Sequence, residues 1–345
     1  MSGASKTAYD ITVGGTTASS DGRKGDRLLL SLVVELGMDS AGGRCVLELA
    51  GAAQTPAQPG DSVSVQLDAG DGAVTVFTGT AYAGETTAVS QVVRAADGGA
   101  KLAAIEIEQA YEDVTADFII KDLIGKAGAT PGTISAGPDL ASYAVHAGTS
   151  ALAHIRTLAA LTGGDFYTDG DGKVHVAAPG EGGADATLSF GETILALDIR
   201  GVSPAFDGFE MWGEGAASSQ GKDKAHWLST DLAGVKGEAS VAADGSVQAG
   251  NAGTSPRRIR AGAIRAGEAA GDAAKAKAAA LAGRRLRGTI DAFGSPSLMP
   301  GSLLGIAKLP ADHAAAALLN GKPVRVRAVR HTLSRNLGLR TRIEV

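Results

Sequence analysis

Over the first hundred or so residues, apolar and polar side chains alternate in short runs, each bounded by Gly, Asp or Pro. The runs are Tyr9–Val13, Arg27–Leu36, Arg44–Leu49, Asp61–Leu67, Ala73–Thr80, a stretch near Ala88–Arg94, and Lys101–Gln109. Alternation puts every second side chain on one face, so each run predicts a β-strand with one buried side. Several short strands at this spacing predict a barrel or sandwich covering residues 1–111.

The period changes after Glu112. Thr115 is placed to cap a helix that carries Phe118, Ile119, Leu123 and Ile124 on one face and stops at Gly125 to Gly128. A loop follows Pro131, then a strand at Ser142–Val145. Thr149 or Ser150 caps a second helix with Leu152, Ile155, Leu158 and Ala159 inward, ended by Gly163-Gly164. Asp165–Tyr167 and Lys173–Ala177 predict a hairpin around Asp169-Gly170-Asp171-Gly172. Residues 112–180 thus read as a small α+β module.

A linker of Gly, Ala and acids, Gly180–Ala186, leads back to β-pattern at Thr187–Phe190, Leu195–Val202 and Phe209–Trp212. The run 213–253 is poor in large apolar residues apart from His226-Trp227-Leu228, and it predicts a long surface excursion. Arg257–Ala263 predicts a strand, and residues 268–287 predict an Ala-rich helix whose basic end, Arg284, Arg285 and Arg287, suits the negative helix C-terminus. The last stretch, Leu298–Val345, predicts a meander of Leu303–Leu309, Pro323–Arg330 and Leu337–Val345, turned at Pro300-Gly301, Asn320-Gly321 and Asn336 to Gly338. Pro59–Thr87 has the same grammar. The echo predicts two related β-domains, the second being residues 181–345. The fold expected is therefore mainly β with an α+β insert.

Composition adds one constraint. Aromatics are only 4 % of 345 residues, and 49 Gly with abundant Ala stand where bulky residues usually do. Small side chains bury little apolar area each, so stability is expected to draw on an oligomeric interface. No basic-then-apolar leader and no apolar run of about 18 residues is present, so no membrane partner is expected and synthesis is expected in the cytosol. The single cysteine, Cys45, lies in an alternating run and reads as a small core residue.

Charge is unevenly spread. From Asn251 to Val345 there are 17 Lys and Arg against 5 Asp and Glu, which leaves 15 against 32 for the rest, and the net is −5. Three readings stand: nucleic-acid binding by the basic end, head-to-tail association of acidic and basic surfaces, or a solvated surface. The basic segment lacks the interleaved aromatics of a base-stacking surface, so no sequence-specific nucleic-acid partner is expected.

Candidate chemistry is sparse. His146, His154 and His175 do not have the helical spacing of a zinc site. Asp-Gly-Asp-Gly lacks the remaining oxygen ligands of a calcium loop. Gly215–Lys222 resembles a phosphate-binding loop, but five residues separate its glycines and Asp223 stands where Ser or Thr would hold Mg²⁺. No catalytic residue, metal ligand or cofactor is expected. A carbohydrate-binding β-protein or a peptidoglycan hydrolase is the competing class, although the chain has only two Trp and no evident acid pair.

In order and spacing, these pieces resemble the phage tail (baseplate) hub family: phage late control D proteins, the T4-type hub, and the hub portion of the valine-glycine repeat proteins of type VI secretion. The C-terminal resemblance is carried by the Ala-rich helix from Ala269, Gly294-Ser295-Pro296-Ser297-Leu298-Met299-Pro300-Gly301, Lys322-Pro323-Val324-Arg325-Val326, His331, and Gly338 to Val345. The middle matches at Thr115–Gly128, Tyr143-Ala144-Val145, Ser150-Ala151-Leu152, Leu158-Ala159, Gly164-Asp165-Phe166-Tyr167 and Asp171-Gly172-Lys173, and the first region at Gly60–Gly79. The run 213–253 departs from the family pattern, and no needle or lysozyme-like domain follows, so a separate spike protein is implied.

The resemblance implies two tail-tube-like β-barrels per subunit and a homotrimer that offers a pseudo-sixfold ring to the tail tube. Its implied partners are the tail tube protein, the central spike and other baseplate proteins, in a virion tail or injection machine assembled from the bacterial cytoplasm. Together with the basic end, it makes Arg325, Arg327, Arg330, Arg340 and Arg342 the candidate assembly interface. Arg325 and Arg327 should share one strand face, with Val324, Val326 and Ala328 opposite. Replacing both arginines with Glu is expected to impair assembly and leave the subunit folded.

Overall fold

The computed structural model describes residues 7–21, 28–51, 57–180, 182–213, 235–319 and 321–345. The first region contributes β1 (Ala8–Val13), β2 (Thr16–Ser19), β3 (Leu29–Gly37), β4 (Arg44–Ala50), β5 (Ser62–Asp68), β6 (Val74–Thr86), β7 (Ser90–Ala96) and α1 (Gly98–Ala104). The second contributes β8 (Gln109–Thr115), α2 (Ala116–Lys126), β9 (Pro131–Ile134), β10 (Asp139–Val145), α3 (Ala151–Thr162), β11 (Asp165–Thr168) and β12 (Val174–Ala177). Then come β13 (Ala186–Ser189), β14 (Ile194–Gly201), β15 (Gly208–Trp212), β16 (Lys236–Val241), β17 (Val247–Ala249), β18 (Pro256–Arg260) and α4 (Gly267–Ala282). The chain finishes with β19 (Leu286–Phe293), β20 (Leu303–Ala307), α5 (Ala314–Leu319), β21 (Val324–Arg325), β22 (Ala328–Ser334) and β23 (Gly338–Glu344).

The fold is mainly β, and one curled sheet of 11 strands dominates it, in the order β14-β19-β23-β22-β3-β4-β7-β6-β5-β1-β2. Seven strands come from the first region and four from the last. They meet where β22 runs antiparallel to β3, with Val329 opposite Leu36, His331 opposite Val34 and Leu333 opposite Leu32. The inward side chains of both halves, such as Leu32, Leu47, Val65, Ile290 and Ile343, form one continuous core. Alternation made most of these strands legible, β2 and β19 excepted; the pairing of strands about three hundred residues apart left no local trace.

A second core lies under the helices. Thr115 caps α2 by accepting the Phe118 N–H, Ser150 caps α3 by accepting the Ala153 N–H, and Gly163 ends α3 at φ 72°, as the cap signals predicted. Their apolar faces, Ile119, Leu123, Ile155 and Leu158, pack with Phe209, Met211, Ala239, Ala270, Ala273 and Ala274. The packing therefore does not divide at residue 180, because β15, β16 and α4 complete the α+β core. The buried stripe of α4 is entirely alanine, and that lets the helix lie close to β16. A Cβ on Gly237 of β16 would fall 2.1 Å from the Ala270 carbonyl carbon.

Several sequence expectations change: the loop expected after Pro131 is β9, and Phe118, expected on the same face of α2 as Ile119, Leu123 and Ile124, is exposed. Lys101–Gln109, expected as a strand, begins as α1, because the buried Asp97 caps it. Its Oδ1 accepts the Gly99 N–H at 2.9 Å, while Oδ2 accepts the Gly43 N–H at 2.6 Å and the Thr168 hydroxyl. The expected excursion at 213–253 contains β16 and β17, with Val235, Ala239 and Val241 buried; His226-Trp227-Leu228 and the phosphate-loop lookalike lie outside the described residues. The Ala-rich helix stops at Ala282, so Arg284 and Arg285 follow it and Arg287 belongs to β19. The expected strand Pro323–Arg330 is split between two sheets. Val326 bonds to Gly301 and Ser302, whereas Arg327 N–H turns to the Glu344 carbonyl. The phase slips there by one, since Val324 and Val326 are buried on one side of the break and Val329 and His331 on the other. Ala328 accordingly does not continue the inward row of Val324 and Val326.

Candidate assembly surface and basic cleft

The outer face of the large sheet carries a row of charges. Glu35 on β3 stands opposite Arg330 on β22, Arg330 opposite Arg342 on β23, and Arg342 opposite Asp291 on β19. Arg330 Nη1 lies 3.0 Å from Glu35 Oε1, and Arg342 grips Asp291 with two bonds, of 2.7 and 2.8 Å. Hydrogen bonding and charge from Arg342 hold the Asp291 carboxyl below its usual range. One row along, Arg340 faces Thr332 and the half-exposed Phe293. Arg330, Arg340 and Arg342 are all exposed, and exposed pairs contribute little to folding, so these groups are free to exchange partners at an interface. A groove of about 600 Å³ runs beside the row, lined by Arg44, Arg327, Arg330 and Arg342 with Glu35 and Glu344.

Arg325 and Arg327 sit elsewhere. Arg325 side chain is 10 % exposed; Nη1 meets Asp165 Oδ2 at 2.6 Å and Nη2 donates to the Ala177 carbonyl at 2.9 Å. Arg327, 12 % exposed, lies 3.3 Å from Asp39 and 3.8 Å from Asp165. Both arginines fasten the C-terminal strands to β11 and the β3–β4 turn within the subunit. The five predicted arginines are thus not one surface: three face outward together and two are internal ties.

Asp165 forms part of the wall of a cleft of about 380 Å³ between α3, β11, β15, β18 and α4. Its cations are Arg156, Arg257, Lys277 and Arg284, and its carboxylates are Asp39 and Asp165. Arg156 lies 5.6 Å over the Phe166 ring and Arg257 5.6 Å over Phe206. Arg284 contacts Asp165 at 3.4 Å. Sequence reading missed this cluster. Arg257 and Arg284 were legible only as parts of a strand and a helix end, and the available signal was the excess of positive charge after residue 250.

The remaining candidate groups have neighbours of their own. His154 Nδ1 lies 3.1 Å from the Tyr143 hydroxyl, and its ring meets His146 edge-on at 5.0 Å. His175 bonds Asp169 at 2.9 Å and stacks on Tyr167. His331 is fully buried beside Thr341, and Cys45 is buried with its thiol pushed up by desolvation. The Asp169–Gly172 segment makes a hairpin turn, and Gly170 approaches the Thr75 carbonyl on β6 too closely for a side chain. Among the described residues no group of three or more His, Cys, Asp or Glu is placed to hold a metal ion, and no helix is long and apolar enough to cross a membrane.

No protein-family model and no curated protein matches the chain. Solved structures do. The 43 kDa tail protein of prophage MuSo2 from Shewanella oneidensis is 14 % identical with a TM-score of 0.65, covering 98 % of both chains. The tail protein from Neisseria meningitidis MC58 is 14 % identical with a TM-score of 0.66, covering 98 % of this chain and 96 % of that one. An Escherichia coli protein described as a component of the type VI secretion system, structurally similar to the T4 bacteriophage tail proteins gp27 and gp5, is 12 % identical with a TM-score of 0.57, covering 97 % and 75 %. The chain has the fold of these tail proteins, which is the fold its sequence resemblance implied.

Proposed function

We propose that this chain, with the fold of phage tail proteins over nearly its whole length, is a structural hub: a homotrimeric ring that joins a sixfold tail tube to a trimeric central spike. The observation that carries the reading is the end-to-end likeness to two tail proteins, 98 % of this chain in each case. The geometry supports it. Each subunit holds seven strands from one β-region and four from another in one continuous curved sheet, so three subunits have six β-regions to present to a tube. Closure of a ring by unlike surfaces suits a chain whose basic part follows its acidic part. Such a role needs geometry and neither nucleophile nor cofactor, so the protein is read as a non-enzyme, made in the bacterial cytoplasm and built into a tail baseplate or injection machine.

Within this reading Arg330, Arg340 and Arg342 are the assembly residues. Sedimentation of the purified protein, alone and with tube and spike proteins, tests the trimer; only monomer in every mixture would defeat it. Arg330→Glu with Arg342→Glu should leave a folded subunit and weaken assembly. Hydrolysis of peptidoglycan that disappears on substituting one Asp, Glu or His would move the protein to the cell-wall-acting class.

A further inference from the structure

The cleft between α3, α4 and β18 collects positive charge that the fold does not neutralise. Its two carboxylates are already committed, Asp165 to Arg325, Arg284 and Arg327, and Asp39 to Arg327. Among the described residues Arg156, Arg257 and Lys277 have no carboxylate within ion-pairing distance. Lys277 is half-buried on α4, and desolvation together with Arg257 and Arg284 pushes its ammonium below the usual lysine range. Like charges gathered in a partly desolvated recess oppose folding unless an anion shares the space.

The arrangement also specifies the kind of anion. The cations arrive from four segments, α3, β18, α4 and the turn after it, so they border one volume from several sides; Arg156 also donates to the Ser40 carbonyl at 2.6 Å. A tetrahedral oxyanion offers acceptors in several directions, and guanidinium forks match its edges. Two of the guanidiniums rest on Phe166 and Phe206, which limits their rotamers before anything binds and supplies apolar wall beside the charges. About 380 Å³ is at the small end of ligand pockets, which run from about 300 to 1,000 Å³.

We propose that this cleft binds a small phosphate-bearing ligand, with Lys277, Arg257 and Arg284 holding the phosphoryl oxygens and Arg156 at the rim. The four cations of the site are distinct from those of the outer charge row, and all come from one chain. The ligand's remaining part would lie against Phe206 and Phe166.

Isothermal titration of the full chain with sodium pyrophosphate, in a phosphate-free buffer, tests the proposal. One site per chain is expected, with affinity falling as salt rises. Lys277→Gln and Arg257→Gln should each weaken binding by about tenfold or more, the loss of one charge-assisted contact. Lys308→Gln, on an exposed side chain outside the cleft, should leave it unchanged. Arg257 is exposed on its strand, so its variant keeps the test valid should Lys277→Gln fail to fold. Absence of binding to the wild type, or equal binding by wild type and cleft variants, overturns the proposal. A hexaglutamate peptide that binds the cleft while pyrophosphate does not would overturn it in favour of an acidic protein partner.

Discussion

At the scale of single residues, two groups set measurable stability, the buried His331 and the mostly buried Arg325. His331 lies in the large core with Nδ1 3.0 Å from the Thr341 hydroxyl, and burial lowers its pKa to about 4. A histidine held neutral in the folded state and free to protonate when unfolded stabilises fully above its ordinary pKa. That contribution is lost as pH falls from about 6.5 to about 4, and amounts to about 3 kcal/mol. Urea unfolding of the wild type and His331→Gln at pH 7 and pH 4.5 should show a smaller acid loss in the variant, since carboxylate contributions are common to both. The second group is Arg325. Reversing it and Arg327 to Glu would set new carboxylates against Asp165 and Asp39, so the subunit itself should lose about 3–5 kcal/mol in urea unfolding. Where the sequence expected a folded double variant, these ties predict an unfolded one, and urea unfolding decides between them. Sequence alternation located these arginines on a strand, but their partners lie 160 and 288 positions away and carry no local signature.

At the scale of elements, what was legible followed from strong local rules. Thr115 and Ser150 announced their helices because a side-chain oxygen beside an apolar period has one economical use. Helix α1, read as a strand, and α5, which was not anticipated, share a different cause: small residues. In Gly98–Ala104 and α5 the Ala and Gly runs have little hydrophobic period, and in α4 the buried face is marked only by alanine. The same smallness makes the α4–β16 contact intolerant. Gly237→Ala should force the helix outward and lower stability by about 1–3 kcal/mol, detectable as a fall in melting temperature. An unchanged melting temperature would mean that the helix can shift without loss.

At the scale of the whole molecule, the two cores do not follow chain order. The large core draws on residues from Ile11 to Val345, and the helical core takes Phe209 to Ala278 into a module that begins near Leu102. The class of fold was legible because strands outnumber helices and most carry their own period. The division into packed units was not, because it is set by which faces meet. The outer arginines show the same limit for the candidate site. Their exposure follows from alternation, but their grouping depends on the register of β3, β22, β23 and β19. If the proposed trimer assembles through that face, its sedimentation at low and high ionic strength should show it loosening as salt rises.

The pairing of β22 with β3 also has a consequence for biogenesis. During synthesis β3 is complete some three hundred residues before the strand that covers its edge, and an uncovered edge is a template for pairing with another chain. At the ribosome's pace of about 5–20 residues per second, that interval lasts tens of seconds, long enough for neighbouring nascent chains to meet. A chain stopped after Pro323, which never acquires β22, should therefore accumulate as aggregate, recoverable in the pellet after centrifugation. Supplying residues 324–345 as a separate peptide during refolding should return part of it to solution.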